Sequence, residues 1–349
     1  MLCVPMDNHS LSFVASMTVC PSDIRKIRQH VTIAEPSIDP LQNILVTPLF
    51  VNDDALAMAQ ELSEMGSQVY FDSGGYHVQI GKLRYEELYM PLLEAYKANR
   101  WAHVYTLPDH VPLSQDPPEV VNQKVRDTIN YSAHFFQELP DELKPRAMPV
   151  VQGHTFKHID ACLSAYFELG VQRIGFGSFG TMGPNNEVNI ATQTAIKLAK
   201  YVIDVAHAHN VKVHLFGVGA PALTAMLKGI RADSFDSAGW LKAAGYGMVA
   251  LPLMRYWNIT HRIETSELQQ GILPEDFEAY KKITGHNCRL CESIPELQAH
   301  KMYRAVHNLI VSAESVDLVN SGANERIQFI YQNGSPKYRT EYEKWLQVD

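Results

Sequence analysis

The sequence predicts an α/β protein, a (β/α)8 TIM barrel with a C-terminal appendage, and three observations carry that prediction. Short apolar runs alternate with helix-like stretches along most of the chain, the ends of those runs are polar, and two cysteines cluster with histidines after residue 280. The 349 residues, 46% hydrophobic and 19% charged, suffice for one large barrel with a substantial core.

The apolar runs cover residues 13–17, 44–51, 69–76, 103–107, 147–151, 173–179, 212–217 and 233–237. Eight such runs suggest a closed parallel sheet. Helical patterning fills the intervals at 54–65, 85–98, 118–136, 159–169 and 191–209. An open doubly wound sheet would also alternate, but its glycine-rich phosphate turn after an early strand is missing. The barrel is therefore expected over residues 1–250 and the appendage over 251–349.

Charge and composition narrow the function classes. No segment approaches about 18 consecutive apolar residues, and the N-terminus lacks a basic stretch leading into an apolar one, so a cytoplasmic protein without a membrane partner is expected. Five cysteines do not form a disulfide framework. A net charge of -8 argues against coating nucleic acid non-specifically. A local excess of positive charge, Lys281, Lys282, Arg289, Lys301 and Arg304 against Glu292 and Glu296, leaves room for phosphate contacts near the cysteines.

In a barrel, chemistry gathers at the C-terminal ends of the strands. There the sequence places Asp72 with Ser73, Gly74 and Gly75, then Asp109, Gln152 with Gly153, Gly175, and Asp233 and Asp236 around the last run. Three separate carboxylates aimed at one mouth supply a nucleophile and acid/base groups, although a lone aspartate after a strand is more often a turn or cap residue. Gln152 can donate to and accept from a base edge. Tyr76, Phe176 and Phe179 are candidates to stack on a ring, and His77, His103, His154 and His214 lie near run ends. Near the C-terminus, Cys288 and Cys291 with two of His286, His300 and His307 match a tetrahedral structural zinc site.

These motifs, Phe71-Asp72-Ser73-Gly74-Gly75-Tyr76, Val151-Gln152-Gly153, Ile174-Gly175, Gly217-Val218-Gly219-Ala220-Pro221 and Ser234-Phe235-Asp236-Ser237, resemble the tRNA-guanine transglycosylases, in order. The resemblance spans about residues 13 to 310. It implies a base exchange in which Asp236 is the nucleophile and Asp72 the proton carrier, with Asp233 as fallback nucleophile. Ser73, Gly74, Tyr76, Asp109, Gln152, Gly153 and Gly175 are then the expected base-binding residues.

The family's zinc ligands run Cys-x-Cys-x-x-Cys and then the histidine of a His-Asn-Leu sequence. Here His286 stands in the first cysteine's place, so the resemblance implies a structural Zn2+ on His286, Cys288, Cys291 and His307, with His300 in reserve. After the nucleophile, tRNA-acting members carry arginines where this chain reads Ser237-Ala238-Gly239-Trp240-Leu241-Lys242. In this the chain looks closer to the 7-deazaguanine DNA transglycosylases of bacteria and phages. The expected partners are a 7-deazaguanine base such as preQ0 and a nucleic acid, DNA being favoured and tRNA the alternative, together with a second copy or accessory proteins. A non-catalytic partner subunit is the competing reading, and retention of both Asp72 and Asp236 argues against it.

Overall fold

The computed structural model of the chain describes residues 9–17, 23–79, 82–113, 115–177, 181–182, 187–188, 193–260 and 271–333. Nine parallel strand segments form its main sheet: β1 (Ser12–Ser16), β2 (Asn43–Val46), β3 (Gln68–Phe71), β4 (Val104–Thr106), β5 (Ala147–Met148), β6 (Val150–Val151), β7 (Arg173–Phe176), β8 (Lys212–Leu215) and β9 (Ser234–Ser237). Their order is β5-β4-β3-β2-β1-β9-β8-β7-β6. The first and last strands of the chain meet in parallel, Val14 opposite Asp236.

The two edges of this sheet, β5 and β6, are consecutive in the chain with only Pro149 between them, so the sheet is barrel-like and nearly closed. Proline has no N–H to give a ladder. Its carbonyl accepts from Gly175 N on the β7 side at 2.8 Å, while the Met148 carbonyl accepts from Leu107 N on the β4 side at 2.9 Å. The chain thus passes from one neighbour to the other at this residue. All eight predicted runs contain strand, and the fifth contains two segments.

Side chains alternate across the sheet, as the pleat requires. Phe13, Val46, Phe71, Tyr105, Ile174, Phe176, Val213 and Phe235 are buried in the main core cluster. Val14, Leu45, Tyr70, Val104 and Met148, from β1 to β5, form a second cluster with Phe216 packed against it. In β1 to β5 both faces are therefore apolar, which is why those runs read as continuously apolar, whereas β9 buries Ser234 and Asp236 on its second face.

Helices follow the strands: α1 (Ile24–Ala34), α2 (Asp53–Glu64), the short α3 (Gly75–Gln79), α4 (Tyr85–Ala98), α5 (Pro118–Glu138), α6 (Phe156–Glu168), α7 (Gln193–Ala208), α8 (Thr224–Gly229) and α9 (Gly239–Gly245). Their starts obey local chemistry. Asn52 caps α2 by accepting from Ala55 N at 2.9 Å, Thr155 caps α6 by accepting from His158 N at 3.3 Å, and α5 opens on Pro118.

Beyond residue 250 come α10 (Pro274–Thr284), α11 (Ile294–Ala299), α12 (Lys301–Asn320) and α13 (Asn324–Asn333). Among the described residues, no helix is long and apolar enough to cross a membrane. The helix α12 packs against α9, α1, α8 and β1, and its Ala305, Val306, Leu309 and Ile310 belong to the same core as the strands. Asn320 closes a reciprocal pair with Leu11 just before β1, donating at 2.7 Å and accepting at 3.0 Å.

Asn308 is the central polar anchor of α12. Fully buried, it accepts from Ala250 N at 2.9 Å and donates to the carbonyls of Trp240 at 3.1 Å and Met248 at 3.0 Å. Asn308→Ala leaves these backbone groups unpaired, so we expect a loss of about 2–4 kcal/mol in unfolding free energy. Urea denaturation checks this; an unchanged midpoint would show that the anchor is dispensable.

Candidate active site and metal centre

The carboxylates expected at the mouth are brought to one end of the sheet. Asp72 follows β3 directly, Asp109 lies in the segment after β4, and Asp236 sits inside β9, so three strands carry them. Asp109 and Asp236 are each only 6% exposed. Burial lifts the Asp72 carboxyl to about 7; the Thr47 hydroxyl restrains the rise, and the charges of Asp109 and Asp236 add to it. That Asp72 senses both other carboxylates places all three in one electrostatic neighbourhood.

Each carboxylate is held by fixed donors. Thr47 Oγ1 donates to Asp72 Oδ2 at 3.0 Å, with Gly74 N at 3.3 Å from the same oxygen. Gln152 Nε2 donates to Asp109 Oδ2 at 2.5 Å and Ser73 Oγ to Asp109 Oδ1 at 3.2 Å. Burial pushes Asp109 up to about 6, and those two hydrogen bonds hold it from rising further. Asp236 Oδ1 accepts from Gly217 N at 2.7 Å, which ties the nucleophile candidate to the turn after β8.

Glycines make these turns possible at two points. Gly74 has φ +82, and a Cβ there would lie 2.8 Å from the Phe50 ring. At Gly175 a Cβ would come within 2.3 Å of Phe216, so this glycine makes room for an aromatic ring inside the sheet. Gly153 follows Gln152 in the turn before α6. Tyr76 lies in α3, and its side chain, like Phe179, falls outside the described residues.

Several expected neighbours of the mouth are elsewhere. Asp233 precedes β9 at the opposite end of the sheet, where it accepts from Val213 N at 2.7 Å and pairs with His207 at 2.8 Å, so of the two only Asp236 lies with the other carboxylates. His103 stands before β4 and accepts from Val69 N at 3.1 Å. Phe176 is buried in the core with an outward-facing side chain, because alternation from Gly175 turns it away from the interior. His77 stacks on Phe50, with ring centroids 3.9 Å apart.

His214 gains a role that its run position alone does not reveal. It is 2% exposed on β8, with Nδ1 2.8 Å from Ser234 Oγ and Nε2 3.5 Å from Asp236 Oδ1. The latter distance is a close approach and not a hydrogen bond, since Nε2 makes none. Phe216 crosses the imidazole edge-on at 4.6 Å. Two-residue periodicity, applied jointly to β8 and β9, is the signal that could have found this pair.

At the other candidate site, His286, Cys288, Cys291 and His307 place one donor atom each within 4.8 Å of one another, all buried. Cys288 Sγ is 3.6 Å from Cys291 Sγ and 3.5 Å from His307 Nδ1, and His286 Nε2 is 3.3 Å from His307 Nδ1. Cys291 is held below the ordinary thiol range by the Cys288 hydrogen bond, which pushes Cys288 up. Two sulfurs and two nitrogens converging on one point form a donor set able to hold a metal ion. His300 is exposed and pairs with Glu296 at 3.3 Å, outside this cluster.

Part of the positive patch nearby is committed to structure, while Lys282 and Lys301 are exposed. Arg304 is 7% exposed, and its guanidinium donates to the carbonyls of Ala244, Leu297 and Gln298. Lys281 donates to Cys291 O at 3.0 Å, and Arg289 pairs with Glu35 at 2.5 Å. Compared with protein-family models and with curated proteins, the chain matches none.

The raised carboxyls make a sign-definite prediction. A carboxyl whose folded pKa exceeds its unfolded value favours the fold only while protonated, and this contribution is lost as pH rises through the folded value. For Asp72, from 3.8 to about 7, the penalty grows across that window and is complete above it. Asp72→Asn should therefore stabilise the protein at pH 8 by on the order of 2–4 kcal/mol, at about 1.4 kcal/mol per pH unit, and by progressively less toward pH 4. Urea midpoints for both proteins at several pH values test this; a gain independent of pH would contradict it.

Proposed function

We propose that this chain is a base-exchange enzyme of the tRNA-guanine transglycosylase type, on a (β/α)8 barrel in which β5 and β6 are halves of one strand interrupted at Pro149. The observation that carries the reading is the shared mouth of Asp72, Asp109 and Asp236, with Asp72 lifted to about 7. A carboxyl in that range can both release and take a proton near neutral pH.

In the proposed reaction, Asp236 attacks C1′ of a guanosine from below the sugar. The C1′–N9 bond breaks, its electron pair leaves with guanine, and Asp72 delivers a proton to the departing base. The covalent glycosyl ester corresponds to that of a retaining glycosidase. Asp72, now a carboxylate, removes the N9 proton of an incoming 7-deazaguanine, whose nitrogen attacks C1′ and frees Asp236. Asp109 and Gln152, already hydrogen-bonded to each other, present acceptor and donor groups to the edge of the base. In duplex DNA the target nucleotide must leave the stack to reach this mouth.

The metal fits zinc. Bonds of about 2.3 Å to sulfur and about 2.0–2.1 Å to nitrogen at tetrahedral angles separate the donors by roughly 3.7 Å for S···S, 3.5 Å for S···N and 3.3 Å for N···N. Three of the six donor separations, 3.6, 3.5 and 3.3 Å, match those values, and the whole set lies within 4.8 Å. His286, Cys288, Cys291 and His307 would then supply all four ligands and leave none for a reacting group, which suits a structural ion.

DNA is the favoured nucleic acid. The segment after the nucleophile candidate enters α9 with Trp240, Leu241, Ala243 and Ala244 buried, and it offers Lys242 as its only cation. That is little with which to read an anticodon loop.

The test is release of labelled guanine from duplex DNA, single-stranded DNA and tRNA with preQ0 supplied. Release from DNA is expected, with Asp236→Ala reducing it by roughly 10³–10⁶-fold. Release from tRNA alone would move the protein to the tRNA-modifying group, and release from none would overturn the reading.

A further inference from the structure

Glu314 lies outside the four-donor cluster yet is bound to one of its members. It stands seven residues, two helical turns, after His307 on α12, so both side chains leave the same face. Its Oε2 lies 2.5 Å from His286 Nδ1, and the imidazole is fully enclosed.

The two imidazoles are oriented by different partners. His307 Nε2 donates to the Ala250 carbonyl at 2.9 Å, so its Nδ1 faces the cluster. His286 has Nδ1 against the Glu314 carboxylate, so its Nε2 faces the cluster. A neutral imidazole that donates from one nitrogen must present a lone pair on the other. Both histidines thus turn one ring nitrogen to the cluster while the other is held, one by a neutral carbonyl and one by a carboxylate.

Charge sharpens the comparison. Two thiolates balance a divalent ion, and a third would leave the site with one negative charge. With His286 in a position where the resemblance expects cysteine, Glu314 restores that charge one step removed from the ion. We propose that Glu314 is a positioning residue for the metal: it fixes His286 with Nε2 toward the ion and raises that nitrogen's basicity as a ligand. The proposal rests on the metal-binding reading of the cluster.

The test uses the full chain, stripped with a chelator and reloaded with Zn2+ or Co2+. Zinc affinity is read by competition with a chromophoric chelator, and coordination is read from the Co2+ spectrum. Glu314→Ala should weaken zinc binding about 10–100-fold. Glu314→Gln, close in shape and still able to accept a hydrogen bond, should fall between it and wild type, and Asp317→Asn, an exposed acid on the same helix, should match wild type. The Co2+ protein should keep its thiolate charge-transfer band in Glu314→Ala while its ligand-field bands move.

If wild type binds no ion, the metal reading itself fails. If wild type binds tightly and Glu314→Ala binds equally well, the role of Glu314 is overturned. Should Glu314→Ala not fold, the Gln variant decides: affinity equal to wild type overturns the contribution of charge.

Discussion

Carboxylates buried together in one mouth are costly to ionise, first because water is excluded and then because their charges repel, and the local architecture of this protein is arranged around that constraint. Asp109 is met by Gln152 and Ser73, Asp72 by Thr47 and Gly74, and Asp236 by Gly217. These donors come from the ends of β2, β3, β6 and β8, so they converge only when the parallel sheet curls round to join β1 with β9. The donors limit the cost of burying these charges without removing it. Burial is the larger part of what lifts Asp72, and the charges of Asp109 and Asp236 add to it, so that its proton is retained to about pH 7. A group in that state suits proton transfer, and its cost is the stability forgone at high pH.

The long helix α12 connects this mouth to the candidate metal centre. Through Asn308, α12 holds the backbone around Trp240, Met248 and Ala250, just beyond the strand that bears Asp236. The next residue toward the N-terminus, His307, faces the metal cluster, and Asn320 at the other end of the helix closes on Leu11 before β1. One rigid element thus spans the donor cluster and the seam between the first and last strands. On the proposed reading, an ion held by this cluster would stabilise the helix that braces the strand bearing Asp236, without taking part in chemistry.

Much of this was legible in the sequence, for physical reasons. Strands apolar on both faces show as apolar runs, as in β1 to β5, and all eight runs contain strand. The polar residues that interrupt or end those runs mark the mouth, and the spacing of His286, Cys288, Cys291 and His307 marks the cluster. Register was less legible. Asp233 and Asp236 flank one short run, and only the pairing of Val14 with Asp236 shows which of them lies inside the sheet. Pairings between distant segments were hidden as well: His214 with Asp236, Phe216 filling the space over Gly175, and Glu314 behind His286. Arg304 reads as an available cation in the sequence and is enclosed among carbonyls in the fold, because helix periodicity alone does not say what covers a helix.

The most direct test of the central claim, that Asp236 is the nucleophile of a shared carboxylate mouth, is mass spectrometry of the protein after incubation with guanine-containing DNA or tRNA and no incoming base. The account predicts a nucleic-acid adduct whose digested peptide carries the sugar on Asp236. An adduct on another residue, or none with either nucleic acid, would contradict it.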